Sequence, residues 1–238
     1  MSTMRLYSKR VPAKDASKQF VDRARRQVEV SNRIEKRSED VMKSRYSHQD
    51  WRRASDSISG KLDQYVKEPQ LLLFFQGAVN ETTFNEDGKF SNTQLVLLLD
   101  LPSQDHVENW RKIRVLKCPL GEKEVEYIPN APIEHYIAKG YVEIDVGCCP
   151  ERTQMLAGNI QARRKQYGLK HRVSSTIHEA MGDTLPSVAT EVSYSNSNFS
   201  MWDKGQMIVI TSRTRSGKDT IFVGNKQDTL KALKSLLT

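Results

Sequence analysis

The segment Arg215-Ser216-Gly217-Lys218-Asp219-Thr220 ends like a phosphate-cradling loop of the pattern GxxxxGK[ST]. That loop needs a glycine five residues before the second one, and Ser212 stands there. It also needs a hydroxyl directly after the lysine to hold magnesium, and Asp219 would set a carboxylate against phosphates instead. A turn before the apolar stretch Ile221–Val223 is the better reading. A second segment, Thr176-Ile177-His178-Glu179-Ala180-Met181-Gly182-Asp183-Thr184, reads as a strand feeding a helix start, with Gly182 as the stop. Free N–H groups at a helix start suit a phosphate. The segment is not HExxH, because position 182 is Gly, and no GxSxG elbow exists for a serine hydrolase. A third segment, Trp202 to Arg215, carries Arg213 and Arg215 after an apolar run and before a strand. That placement can put a guanidinium in a cleft, where it would stabilise a transferring phosphoryl group. Taken alone, a surface pair of arginines explains it equally simply.

Histidines offer little else. His48, His106 and His135 lie in dissimilar contexts without cysteines or paired carboxylates at ligand spacing, so no metal site is indicated. Cys118, Cys148 and Cys149 are an odd count with no CxxC pair, which points away from a disulfide framework. Trp51 and Trp202 could each stack a base, although a tryptophan in a lean chain is more often a core anchor.

The elements that must position these residues read as α/β. Arg5-Leu6-Tyr7 is a short strand. A polar, Arg-rich stretch from Lys14 to Lys67 carries Phe20, Val21, Ala24, Val28 and Val41, then Ile58, Leu62, Tyr65 and Val66, at loose helical spacing. So few apolar anchors predict partial exposure over 30–50. Strands are expected at Leu71–Phe75, Thr93–Leu99, Ile113–Lys117, Val125–Ile128 and Tyr141–Val146, with a hairpin turn at Asn85–Gly88. Pro150 would open a helix to Tyr167, stopped by Gly168. Strands over Arg172–Ser175, Val188–Val192 and Ile221–Val223 follow, and a final helix over Lys226–Leu237. For Met207–Thr211 apolar content alone predicts a strand.

The 238 residues carry 37 Lys+Arg against 29 Asp+Glu, net +8 and pI near 9.3. Residues 1–70 hold 17 basic and 10 acidic side chains, 71–150 hold 7 and 12, and 151–238 hold 13 and 7. Two basic blocks around an acidic one predict three units: a basic helical segment (1–70), a β-rich acidic insert (71–150) and an α/β remainder (151–238). Basic surfaces dominate non-specific affinity for nucleic acid, although a solvated helix face accounts for the N-terminal run equally well. No apolar run approaches the ~20 residues that span a bilayer. The start lacks the apolar core of a signal peptide, so an intracellular location (cytoplasm or nucleus) without membrane contact is expected.

The order and spacing of the second and third segments resemble motifs V and VI of superfamily-one DNA helicases of the Pif and RecD type. In that family a strand runs into T-x-H-K-x-Q-G-x-T, matched by Thr176, His178, Gly182 and Thr184. Later Y-V-A-L-S-R-x-R precedes an I-x-G strand, matched by Ser212, Arg213, Arg215, Phe222 and Gly224. A weaker echo at Gly77-Ala78-Val79, Asn85 and Phe90-Ser91-Asn92 is similar to the small β-barrel inserted in the second motor domain. Arg5-Leu6-Tyr7 resembles the strand that begins that domain.

The resemblance implies a partial RecA-like (P-loop NTPase) second motor domain with an inserted small β-rich, SH3-like subdomain. It implies a helix over Lys204–Arg213, Arg213 as an arginine finger, and Arg213, Arg215 and Gly182 at a nucleotide. Thr176, His178, Lys170 and Arg172 would meet single-stranded DNA, with RNA as an alternative. ATP and magnesium would bind only with a complementing P-loop domain, a missing N-terminal half or a partner chain, since no P-loop or Asp-Glu pair occurs here. Glu179 stands where the family has Lys and Met181 where it has Gln, which removes groups able to bond DNA or nucleotide. A helicase-derived binding module without catalysis is therefore the alternative to a C-terminal helicase half. An unrelated hydrolase or metalloenzyme has almost no residue support.

Overall fold

The computed structural model describes residues 4–7, 10–46, 50–119, 125, 127–177, 181, 185, 187–191, 194–195, 198–199, 204–227, 229–230 and 234. In chain order, β1 (Met4–Tyr7) leads into α1 (Arg10–Gln27), and β2 (Arg33–Arg37), β3 (Glu39–Ser44), β4 (Arg52–Arg53) and α2 (Asp56–Leu62) follow. Next come β5 (Leu71–Phe75), β6 (Val79–Thr82), β7 (Leu95–Leu97), α3 (Gln104–Glu108), β8 (Ile113–Lys117), α4 (Ile133–Ala138) and β9 (Val142–Val146). The chain continues through β10 (Gln154–Leu156), β11 (Ile160–Lys165), β12 (Leu169–His171), β13 (Ser174–Thr176) and β14 (Val188–Glu191). A short hairpin, β15 (Tyr194–Ser195) and β16 (Asn198–Phe199), precedes α5 (Lys204–Thr211) and β17 (Thr220–Val223).

These elements form two compact units, residues 1–17 with 172–238, and residues 18–171. The first is built on a parallel sheet in the order β13-β1-β14-β17. Strand β1 is internal, with Arg5 opposite Ser174 on one side and Ala189 on the other. Everything between β1 and β13 is thus an insertion into one sheet. Parallel neighbours need a crossover connection, which this chain makes with an entire folded unit.

The second unit is antiparallel. Its five-stranded sheet runs β12-β6-β7-β8-β9, a four-stranded sheet runs β10-β11-β3-β4, and β2 pairs with β5. The main core gathers Leu72, Phe74, Val96, Leu98, Ile113, Val115 and Tyr167 between the strands. Ser55 caps α2 by accepting from the Ile58 N–H at 3.4 Å, and Ser103 caps α3 by accepting from the His106 N–H at 3.2 Å. Below the four-stranded sheet the buried Arg164 guanidinium donates to both Asp40 oxygens (2.8 and 2.7 Å), to Asp63 (2.6 Å) and to the Glu68 and Ser59 carbonyls (2.9 and 3.1 Å). A buried guanidinium is tolerable only when its donors are matched in this way.

Several sequence expectations hold: β5, β7, β8, β9, β14 and β17 fall where strands were predicted. Others do not. Among the described residues of 1–70, α-helix is confined to α1 and α2, and residues 33–37 and 39–44 form β2 and β3. Helical spacing misread them because their partners, 71–75 and 160–165, lie far off in sequence. Residues 154–165 form the hairpin β10–β11 instead of a helix, and Gly158 and Asn159, both at positive φ (81° and 57°), close its loop. Met207–Thr211 is helical, as the family resemblance implied and apolar content did not. Among the described residues of 125–128 there is no strand. The charge blocks change sign at residues 70 and 150, whereas packing divides the chain at 17/18 and 171/172; charge reports surface and packing reports core.

Candidate functional site

Helix α5 is held by one face. Gln206, Met207 and Ile210 are buried while Ile208 is exposed, and Ile210 packs with Ile177, Leu185 and Val188. The helix ends as hydroxyls turn back to its carbonyls: Thr211 Oγ1 donates to Met207 O (3.0 Å) and Ser212 Oγ to Val209 O (3.0 Å). Arg213 follows. Its Nε donates to Val209 O at 2.9 Å and its Nη2 to Ser212 Oγ at 2.8 Å, so the guanidinium lies over the carbonyl end of α5. A cation at that end of a helix gains ~0.3–1 kcal/mol.

Arg215 and Lys218 are exposed on the loop that follows. Residues Gly217–Asp219 form a single 3₁₀ turn, and Thr214 and Thr220 share a hydroxyl hydrogen bond of 2.8 Å across it. The P-loop look-alike is thus a turn before β17, as its missing glycine predicted.

Thr176 closes β13 at the carboxyl edge of the parallel sheet, in the row of Tyr7. The Arg213–Arg215 segment enters β17 from the amino edge, in the row of Val188. At about 3.3 Å per residue the two edges of so short a sheet are roughly 10 Å apart. Just past the second segment, the Leu185 N–H donates to Arg213 O at 2.6 Å. His178, Gly182 and Thr184 lie outside the described residues. Lys170 sits in β12 opposite Glu81 and forms an ion pair with it at 3.3 Å, both side chains largely buried. Arg172 is half-buried in the turn after β12.

One set of side chains had almost no signal in sequence. On the four-stranded sheet, residues 40, 42, 162 and 164 face inward, so 39, 41, 43, 161, 163 and 165 face outward. There Arg163 and Lys43 lie over the Trp51 ring, at 4.5 and 5.0 Å from its centre. Lys165 and Lys36 lie over Trp110, at 4.8 and 3.7 Å. Burial lowers the Lys36 ammonium below the usual lysine range. Trp110 packs its indole near Tyr167 (5.4 Å) and donates from Nε1 to Glu39 at 2.9 Å. In sequence only Trp51 had been noted, as a ring that could stack a base, and a helical reading of 150–167 hid the alternation of Arg163 and Lys165.

Burial pushes the Cys149 thiol up to about 12 and raises that of Cys148 as well, which disfavours the thiolate at both. Among the described residues no three His, Cys, Asp or Glu side chains converge as metal ligands, and no helix is long and apolar enough to cross a membrane.

A parallel sheet interrupted by an antiparallel unit, with two arginines following α5, is an α/β fold that matches the motor domain of solved Pif1 helicases. Over 178 residues the chain is 25% identical to the ATP-dependent DNA helicase Pif1 of Bdellovibrio bacteriovorus, an alignment spanning 63% of this chain and 38% of that protein. Its fold matches Pif1 from Candida albicans over 99% of this chain and 49% of that one (TM-score 0.56, 15% identity). It also matches Bacteroides Pif1 bound to ssDNA (TM-score 0.52, 13% identity) and Bacteroides Pif1 in complex with ADP-AlF3 and ssDNA (TM-score 0.51, 15% identity). Each of these matches covers 98% of this chain and 45% of the other. No protein-family model matches. The chain is similar to Pif1 helicases in sequence and fold, and spans about half the length of those solved structures or less.

Proposed function

We propose that this chain is the C-terminal motor half of a Pif1-type ATP-dependent DNA helicase. In this reading it binds single-stranded nucleic acid and completes an ATP site whose P-loop belongs to another domain, in the same polypeptide or in a partner. The observation that carries it is the Arg213 segment: a guanidinium at the end of α5, hydrogen-bonded to Val209 O and Ser212 Oγ, beside the parallel sheet, in the order the family uses. The Bacteroides structures with ADP-AlF3 and ssDNA support the ligand classes. The antiparallel unit, inserted in sequence between β1 and β13, supports the reading of an SH3-like insertion in that motor.

Within this assignment Arg213 swings off Val209 O and Ser212 Oγ toward the nucleotide's terminal phosphate. Its guanidinium neutralises charge there as the phosphoryl group transfers, an effect worth about 10³–10⁵ in rate. Arg215, exposed two residues on, steadies the nucleotide, with Gly182 in the neighbouring motif. Thr176, His178 and Arg172 serve the nucleic acid, and Lys170, tied to Glu81, serves chiefly to hold β12. Magnesium comes with the P-loop domain, which supplies the hydroxyl and carboxylate ligands that this chain lacks.

The test is ATP hydrolysis by the 238-residue chain alone, then mixed with the P-loop half of a Pif1 helicase on oligo-dT. Negligible turnover alone is expected, with turnover on mixing that falls about 10³-fold in Arg213→Ala. Hydrolysis by the chain alone, or turnover on mixing that is indifferent to Arg213, refutes the proposal. A second reading, a nucleic-acid or protein binding module without catalysis, is favoured by Glu179 and Met181 in place of the family's Lys and Gln. It predicts DNA binding with no gain of turnover on mixing.

A further inference from the structure

We infer that the outward face of the β3–β11 sheet is a second nucleic-acid surface, one that stacks bases of a single strand on Trp51 and Trp110. The argument starts from alternation. Arg163 and Lys165 are two residues apart on β11, so both project from one face about 6.6 Å apart. Lys43, opposite Gln161 on β3, projects from the same face. Each tryptophan is bracketed by two of these cations or by Lys36, so the face alternates ring, charge, charge, ring.

Single-stranded nucleic acid alternates in the same way, between flat apolar bases and anionic phosphates, and is bound by aromatic platforms set among cations. Cation–π contacts hold the long side chains across the face before any ligand arrives, which lowers the ordering cost of binding. The acids present do not cancel the charge. Glu39 lies 3.8 Å from Lys165 and is engaged by the Trp110 indole, and Glu151 pairs with Arg163 at 3.0 Å. These pairs are partly exposed, and such pairs contribute little, so a phosphate can replace either carboxylate. Trp51 belongs to no hydrophobic core cluster of the described residues, and Lys43 and Arg163 lie over its ring. Duplex fits this face poorly, because its bases are already stacked on one another.

The inference rests on the nucleic-acid reading above, and the experiment separates the two. Fluorescein-labelled dT12 is titrated with the full chain by anisotropy across a salt series, beside Trp51→Ala, Trp51→Phe, Trp110→Phe and Arg163→Gln. Binding should weaken about tenfold in Trp51→Ala and recover largely in Trp51→Phe. Arg163→Gln should make the plot of log affinity against log salt shallower by about 0.7, one phosphate on a single strand. Trp110→Phe keeps the packing on Tyr167 and should change binding only modestly. Circular dichroism melts confirm that each variant folds. If the chain binds dT12 and Trp51→Ala binds equally well, this inference falls and the helicase reading stands. If the chain does not bind dT12 at all, both fall. If poly-glutamate competes as well as unlabelled dT12, the face recognises acidic protein and the base-stacking assignment is overturned.

Discussion

His171 shows how much one side chain can be committed to a structural task. It is fully buried, stacks near Phe20 (5.2 Å) and Phe75 (6.1 Å), and accepts the Leu73 N–H at Nε2 (3.3 Å). That bond places its proton on Nδ1, so the ring is neutral. Burial lowers its pKa from 6.5 to about 4. As pH falls the unfolded chain takes up the proton first, so this stabilisation is complete above pH 6.5 and fades toward pH 4. Urea unfolding should show about 2 kcal/mol lost by pH 5 on account of this residue. The difference between the wild-type chain and His171→Gln should narrow by that amount between pH 8 and pH 5, and a constant difference would refute the assignment. Nothing in sequence marked this histidine. Arg213 stood out in sequence because its neighbours, Ser212 and Arg215, keep a spacing that resembles the helicase family's. Trp51 was noted only as a ring that could stack, since the cations over it come from β3 and β11, far off in sequence.

At the scale of elements, local signals were read well and remote pairings were not. Asn85–Gly88 was predicted as a hairpin turn, and Glu86 and Phe90 bridge around it. Apolar runs such as Leu95–Leu97 announced strands because burial on both faces leaves a continuous hydrophobic pattern. Strands β2 and β3 were missed because polar side chains occupy one face and Asp40 is buried on the other, satisfied by Arg164 from more than a hundred residues away. The turn between β5 and β6 gives an element-scale test. Gly77 has φ +80°, donates its N–H to Leu98 O at 2.8 Å, and would place a Cβ 2.6 Å from Cδ1 of Tyr127. Gly77→Ala should cost about 1–3 kcal/mol in urea unfolding, since both the backbone region and the ring resist it. A variant as stable as the parent would mean that the turn re-forms at no cost.

For the whole molecule, the topology has a consequence in time. Strand β1 is made before the antiparallel unit, yet both its neighbours, β13 and β14, come after that entire unit. At about 5–20 residues per second, roughly 10–30 s of synthesis separate β1 from its first partner. Residues 18–171 carry their own cores and can fold during that interval, while β1 waits with its backbone unpaired. Limited proteolysis of ribosome-bound chains supports this order if 18–171 is protected while cleavage within residues 1–17 persists until residue 190 has emerged. Simultaneous protection of both would mean that the two units fold together. On the ribosome, an internal strand of the parallel sheet is finished long before either of its neighbours exists.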